Sequence, residues 1–379
     1  MKKLNSPLGT IGVETFLKTY WNKKTLVIRQ GFENFESLIE PDELAGLACE
    51  EHIESRIVIE KAGKHPWQPI YGPMDEKVFK KLPKTHWTLL VNDVEKHVPQ
   101  LATIVDAFRF IPEWRLDDLM ISYAPEGGSV GPHLDQYDVF ILQAKGHRRW
   151  QISTQPVADT NQVKNTPLRI QKDFTAEEEW ILAPGDIIYI PPGVSHYGVA
   201  MDDCMSYSIG FRAATHSDMV NDFITYITKE LDSTRVYRDK DLPAQSHPNE
   251  ISADALQRVR NIFAEYLNPD HPELARWFGR YMSDNKADIV LAARKASAKQ
   301  LAQITTLYRH PASRFAFSKH GKQTLLFVDG EDFVVSANFA KALCKDRNVD
   351  LEKLLKFTDE NEQRILLSFY NQGKLVKSL

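Results

Sequence analysis

Three side chains able to hold a metal ion stand in two short segments of this 379-residue chain. His133 and Asp135 lie two apart in Gly131-Pro132-His133-Leu134-Asp135. In an extended strand, residues i and i+2 face the same way, so both donors can enter one cavity. A third donor, His196, ends the segment Pro191-Pro192-Gly193-Val194-Ser195-His196. Two imidazoles and one carboxylate form a facial triad that leaves half of an octahedral ion open. That set suits non-haem Fe(II) with a co-substrate and O2, although competition among divalent metals means that the ligands alone do not fix the ion.

An iron oxygenase that consumes a 2-oxo acid needs a second anchor, a cation for the distal carboxylate. A guanidinium supplies a bidentate, charge-assisted clamp for such a group. Arg148, Arg149 and Arg212 are the candidates. Arg148 shares strand parity with Trp150 and Arg149 points the other way; the sequence does not say which face is inward.

The elements that must position these residues span 117–212. Residues 117–123, 138–143, 149–152 and 187–190 are short β-branched or aromatic runs, punctuated by Gly127-Gly128, Lys145-Gly146, Ala183-Pro184-Gly185-Asp186 and Pro191-Pro192-Gly193. Short strands at regular spacing indicate a small β-barrel or jelly roll, whose mouth is a natural concave site. Ahead of it, residues 14–21 carry Phe16, Leu17, Tyr20 and Trp21 at helical spacing, 23–29 read as a strand and 41–48 as a helix opened by Pro41. Irregular strands are expected over 55–71, and a short element over 87–94. Trp67, Trp87 and Trp114 are read as packing residues.

Beyond Arg212 the apolar period changes to that of helices. Stripes run over 218–231, 253–267 and 272–282, and such faces must be buried against something. Three helices make a small core, so pairing with a second copy is expected. Residues 313–335 read as a strand hairpin between short helices, a winged-helix-like pattern. The fold class is therefore mixed α+β, with a jelly-roll domain over 1–215, a helical dimerisation segment over 216–285 and a winged-helix-like domain over 286–379.

Composition fits an ordered globular protein, 42% hydrophobic and 26% charged. No apolar run reaches the roughly 18 residues of a membrane span, and no apolar core follows the two lysines of the opening MKKLNSPLGT. A cytoplasmic protein without membrane partners is expected. Cys49, Cys204 and Cys344 are widely spaced and form no CxxC or zinc pattern, as in a reducing compartment. Residues 286–379 hold 16 Lys+Arg against 10 Asp+Glu, a net of +6, which leaves −10 for the remainder of a chain of net charge −4. A basic tail on an acidic body hints at nucleic acid or a ribosomal surface as a partner, though a solvated charged face is the favoured account, and direct nucleic-acid contact stays open.

Several of these segments carry a family resemblance. Phe16-Leu17 with Tyr20-Trp21 and Lys23-Lys24, the run from Gly131 to Asp138, Gly146-His147-Arg148-Arg149-Trp150, Pro184-Gly185-Asp186 with Tyr189-Ile190-Pro191-Pro192-Gly193 and His196, and Ser208 with Gly210-Phe211-Arg212 resemble the JmjC-type ribosomal oxygenases. More narrowly, they resemble the bacterial 50S ribosomal protein arginine hydroxylases of the YcfD/RoxA type. The resemblance covers the whole length and is least distinctive in the last third; Thr25 departs from it where relatives often have Pro.

The resemblance implies a double-stranded β-helix of the cupin/JmjC kind. It implies Fe(II) held by His133, Asp135 and His196, with 2-oxoglutarate and O2 as co-substrates, the former held by Arg148 with help from Ser122. The implied substrate is an arginine side chain on the sixteenth protein of the large ribosomal subunit, hydroxylated at Cβ. A buried guanidinium asks for a carboxylate, acceptors, an apolar wall and an aromatic face. Asp118, Met120, Tyr137 and Ser208 supply these where the resemblance puts the substrate pocket. Competing readings are a JmjC demethylase of methylated Lys or Arg, a non-catalytic cupin sensor with a DNA-binding winged helix, and a zinc or manganese cupin isomerase, which gives no reason for Arg148.

Overall fold

The structure is a computed structural model that describes residues 6–60, 67–229, 231–285 and 289–378. The described chain packs as two compact units, one comprising Met1–Ala213, Asn285–Arg314 and Lys345–Leu379, the other Ala214–Asp284 and Phe315–Cys344. Residues 286–379 thus contribute to both.

The first unit is built on twelve strands: β1 Leu26–Ile28, β2 Ser55–Ile59, β3 Gln68–Tyr71, β4 Trp87–Val91, β5 Leu116–Ala124, β6 His133–Leu134, β7 Val139–Lys145, β8 Arg148–Ser153, β9 Glu178–Leu182, β10 Ile187–Ile190, β11 Ser195–Ala200 and β12 Cys204–Phe211. They form an eight-stranded sheet of order β1-β10-β7-β12-β5-β4-β2-β3 and a four-stranded sheet of order β6-β11-β8-β9. All pairings are antiparallel. The quartets β10-β7-β12-β5 and β6-β11-β8-β9 make the expected jelly roll. Between them lies an apolar layer of Val139, Ile141, Trp150, Ile152, Leu182, Ile188 and Ile190.

The alternate residues of the same large-sheet strands face the other way, into a second core. Phe140, Leu142, Tyr189, Tyr207 and Phe211 pack there against Phe16, Leu44, Ile104 and Phe108 of the N-terminal helical layer. The Phe16 ring, on the helix Val13–Thr19, lies 5.0 Å from that of Tyr189 and 5.3 Å from that of Phe140. Two covered faces explain why β7 and β12 are buried almost continuously: a strand between two apolar layers has no reason to alternate with polar residues. The irregular strands expected over 55–71 are β2 and β3; residues 61–66 of that stretch, like Lys2 and Lys3, lie outside the described residues.

The remaining strands are β13 Thr306–Arg309, β14 Phe315–His320, β15 Gln323–Val328, β16 Glu331–Val335, β17 Asn348–Asp350 and β18 Leu375–Val376. In the first unit β13 pairs between β17 and β18, and in the second β14-β15-β16 form a meander. The second unit also holds the helices expected past Arg212, which run His216–Thr228, Ala253–Tyr266 and Leu274–Ser283. Thr215 and Ser252 cap the first two, each accepting a hydrogen bond from the backbone N–H three residues on. Among the described residues, no helix is long and apolar enough to cross a membrane.

Candidate metal centre and its flanking pocket

Antiparallel pairing of β6 with β11 sets His196 directly opposite His133, and the two rings meet edge to face with centroids 4.3 Å apart. Asp135 follows at the end of β6. Its Oδ2 lies 3.9 Å from His133 Nε2 and 3.7 Å from His196 Nε2. One ligand atom from each of the three residues falls within 4.8 Å of the others, so the three donors expected from the sequence converge. The turn before β11 is fastened to this arm, because Gly193 N donates to Asp135 O at 2.7 Å.

The tautomers follow from the partners of the other ring nitrogens. His133 Nδ1 lies 2.9 Å from Gly131 O and His196 Nδ1 3.1 Å from Val194 O. A carbonyl only accepts, so each Nδ1 carries the hydrogen and each Nε2 turns its lone pair toward Asp135. Burial, and then the neighbouring His133, hold His196 well below the usual imidazole range, hence neutral. Two neutral imidazoles with fixed lone pairs and one carboxylate are a donor set ready for a divalent ion.

The three candidate arginines lie in different surroundings. On β8, Arg148, Trp150 and Ile152 stand opposite Ala200, Gly198 and His196 of β11, so Arg148 shares the inward face of His196. Arg149 turns outward toward Glu179 at 3.9 Å, and Arg212 pairs with Asp117 at 3.1 Å. The buried Arg148 guanidinium reaches two hydroxyls through Nη1, Ser122 Oγ and Ser206 Oγ, both at 3.4 Å, and lies 5.8 Å from the centre of the Trp150 ring. Its Nε is buried without a hydrogen-bond partner, and among the described residues no carboxylate pairs with it. A buried cation without an anion is costly. The site therefore fits a carboxylate ligand such as the distal end of a 2-oxo acid. Trp150 walls this pocket, and a Cβ on Gly198 would come within 2.8 Å of its indole, so the close approach requires glycine there.

Next to the hydroxyl pair, Met120 and Ser208 face each other across β5 and β12, two residues along from the opposed Ser122 and Ser206 and on the same face. The β5–β12 register then shifts between Ile209 and Phe211, so that two residues of β5, Asp117 and Asp118, stand against Gly210 alone. Such a bulge bends a strand and re-aims its side chains. Asp118 is half-buried, and burial together with the carboxylates of Glu95, Asp93 and Asp117 pushes it up to about 8, Lys96 opposing. Tyr137 is 41% exposed at its rim. Desolvation and the nearby Asp135 and Asp118 raise its phenol above the ordinary range, against an opposing effect of Arg56. Asp135 of the triad and Asp118 thus both act on the Tyr137 phenol.

Three contributors escape the sequence reading. Ser206 repeats the i+2 spacing of Ser208, so strand parity could have found it. Gln143, whose Oε1 accepts from Ser206 Oγ at 2.9 Å, lies on β7 and offers no such cue. Glu95 is buried on the short helix Val94–His97 and is pushed up to about 7 by its burial. Nothing local in the sequence links it to Asp118.

Comparison with known proteins agrees with this geometry. Residues 103–219 match the JmjC domain family, and residues 267–375 match the ROXA-like winged helix. The chain is 39% identical to the ribosomal protein uL16 3-hydroxylase of Escherichia coli over 285 residues, 75% of this chain and 74% of that one. The X-ray structure of E. coli ycfD superposes with a TM-score of 0.86 at 32% identity, covering 97% of this chain and 98% of that one. A structure of the E. coli ribosomal oxygenase YcfD in complex with cobalt and 2-oxoglutarate gives a TM-score of 0.82 at 33% identity, with the same coverage. With the triad, the buried Arg148 and the jelly roll in place, the chain belongs to the JmjC family of ribosomal oxygenases.

Proposed function

We propose that this oxygenase hydroxylates Cβ of an arginine side chain on uL16 of the large ribosomal subunit, using Fe(II) and 2-oxoglutarate. The observation that carries the chemistry is the buried guanidinium of Arg148, which pairs with no carboxylate among the described residues, on the same sheet face as the His133 and His196 donors. When bound, Fe(II) with 2-oxoglutarate and O2 supplies the oxidising power that inserts one oxygen atom into a C–H bond and leaves succinate and CO2.

The chain's own residues position and exclude. His133, Asp135 and His196 hold the ion, with the backbone carbonyls of Gly131 and Val194 fixing the two rings. Arg148, assisted by Ser122 and Ser206, clamps the distal carboxylate and orients its other end toward the triad. Asp118 receives the substrate guanidinium, Met120 and Ser208 line its methylenes, and Tyr137 closes the rim. Holding the target C–H against the reactive centre converts a bimolecular encounter into an intramolecular one, the larger part of what the protein contributes.

Residues 1–215 are assigned to the oxygenase, 216–285 to dimerisation and 286–379 to the winged-helix-like segment. The helix Ala253–Tyr266 has no buried residue and leaves Leu256, Val259, Ile262 and Phe263 exposed; a second copy of the chain is the occupant that suits such a face. A ribosomal-protein substrate suits a cytoplasmic enzyme.

Incubating the purified protein with Fe(II), 2-oxoglutarate and unmodified large-subunit proteins tests the reading. The expected product is a uL16 peptide heavier by one oxygen on an arginine. Loss of a methylene from a methylated peptide, with no oxygen gained on uL16, would favour the demethylase instead. Salt-sensitive duplex binding without any 2-oxoglutarate turnover would point to the sensor.

A further inference from the structure

The two arms of the metal centre come from separate parts of the jelly roll, His133 from β6 and His196 from β11. A single residue outside both strands is bonded to each. Gln171, in the connection from β8 to β9, donates its backbone N–H to Pro132 O at 2.8 Å and its side-chain Nε2–H to Ser195 Oγ at 2.7 Å. Pro132 immediately precedes His133, and Ser195 immediately precedes His196. Gln171 and Ser195 are both buried, so the side-chain bond has no water to replace it.

The residue before it reinforces the first arm. Ile170 is buried, and its side chain would lie 2.7 Å from a Cβ on Gly131, whose φ of +80° also demands glycine. Gly131 N is held by Ser129 Oγ at 2.9 Å, and Gly131 O is the acceptor that orients His133. Ile170 and Gln171 together thus fix the Gly131-Pro132 backbone behind His133 and the Ser195 side chain behind His196.

We infer that Gln171 is a positioning residue of the metal centre, a staple that reinforces the β6–β11 pairing and holds the His133 and His196 arms in place before the ion arrives. It acts through the residues that precede two of the ligands, the carbonyl of Pro132 and the hydroxyl of Ser195. The inference rests on the reading of His133, Asp135 and His196 as the metal ligands. Partners one shell outside a metal's ligands commonly change affinity by about 10- to 100-fold when removed. The backbone bond to Pro132 survives any side-chain change, so an effect near the lower end is expected.

The test uses the full chain and Co(II) alone, reading affinity by calorimetry and ligand geometry by the visible absorption of the bound ion. Gln171→Met keeps length and apolar bulk but loses the hydrogen bond, and Ser195→Ala removes the same bond from its other side with the loss of one oxygen atom. Each should weaken Co(II) binding by about tenfold and shift the absorption band, and the double variant should be no worse than either single one, since all three lack the same bond. If one variant fails to fold by circular dichroism, the other carries the measurement. Wild-type affinity and an unchanged spectrum in a folded single variant would overturn the inference, as would fully additive losses. Absence of Co(II) binding by the wild-type protein, or unchanged binding in His133→Ala, would instead overturn the metal reading.

Discussion

Glu95 Oε2 accepts a hydrogen bond from the backbone N–H of Leu119 at 3.0 Å. The bond lies where a strand would otherwise be. Strand β4 pairs with β5 only over Ile121 to Tyr123 and ends at Val91, so the helix that follows it supplies a carboxylate in place of a strand carbonyl. The residue before Leu119 is Asp118, and a buried acid is therefore placed behind the acid that the substrate cation is proposed to meet.

This pair makes binding of a cationic side chain pH-dependent. Burial holds Glu95 up to about 7, and burial with Glu95, Asp93 and Asp117 holds Asp118 up to about 8. In the free enzyme both are partly neutral near pH 7, and a guanidinium binds best once they ionise. The KM for a uL16 peptide should fall as pH rises from about 6 to about 9, with kcat changing less, and Glu95→Gln should flatten the profile. A pH-independent KM in the wild-type enzyme would refute the assignment.

Stability should run the opposite way. Carboxyls raised in the folded state contribute stability that is complete below their unfolded value near about 4 and is lost as pH rises through about 7 for Glu95 and about 8 for Asp118. Asp118→Asn should therefore gain most over the parent at about pH 9. Thermal unfolding of the two proteins across this range checks it; a difference that is constant with pH would count against the shifts.

Replacing Arg148 by Met separates binding from stability. Among the described residues no carboxylate pairs with the buried guanidinium, so an apolar replacement should leave the unliganded protein equally stable or raise its Tm. The KM for 2-oxoglutarate should rise by about 10- to 100-fold, the loss of charge-assisted hydrogen bonds worth roughly 1.5–3 kcal/mol. Turnover assays with calorimetry of the apo form measure both.

His133→Ala and Asp135→Ala should each abolish iron-dependent 2-oxoglutarate turnover while leaving the fold intact, since both side chains are only partly buried. Full turnover in either variant would remove that residue from the ligand set.

The exposed face of Ala253–Tyr266 gives the last expectation. Light scattering should report a dimer at micromolar concentration, and Phe263→Asp, at a position 60% exposed in one chain, should convert it to a monomer without loss of helix. A monomeric parent protein would sink the dimer.

What the sequence determined by itself was local. The i+2 spacing of His133 and Asp135, the turn residues ahead of His196 and the opposite parities of Arg148 and Arg149 all follow from the period of a strand and the needs of a turn, which a short segment carries in its own residues. Apolar stripes likewise announced the three helices past Arg212, because an amphipathic helix repeats its apolar face every three or four positions. What only the tertiary structure decided was which surfaces meet. That Arg148 rather than Arg149 points inward depends on which face of β8 the other sheet covers. That Glu95 stands behind Asp118 depends on where β4 stops, and that Gln171 bonds both metal arms depends on the path of a connection with no period at all. Burial and long-range hydrogen bonds are properties of the packed layers, and no stretch of sequence contains both partners.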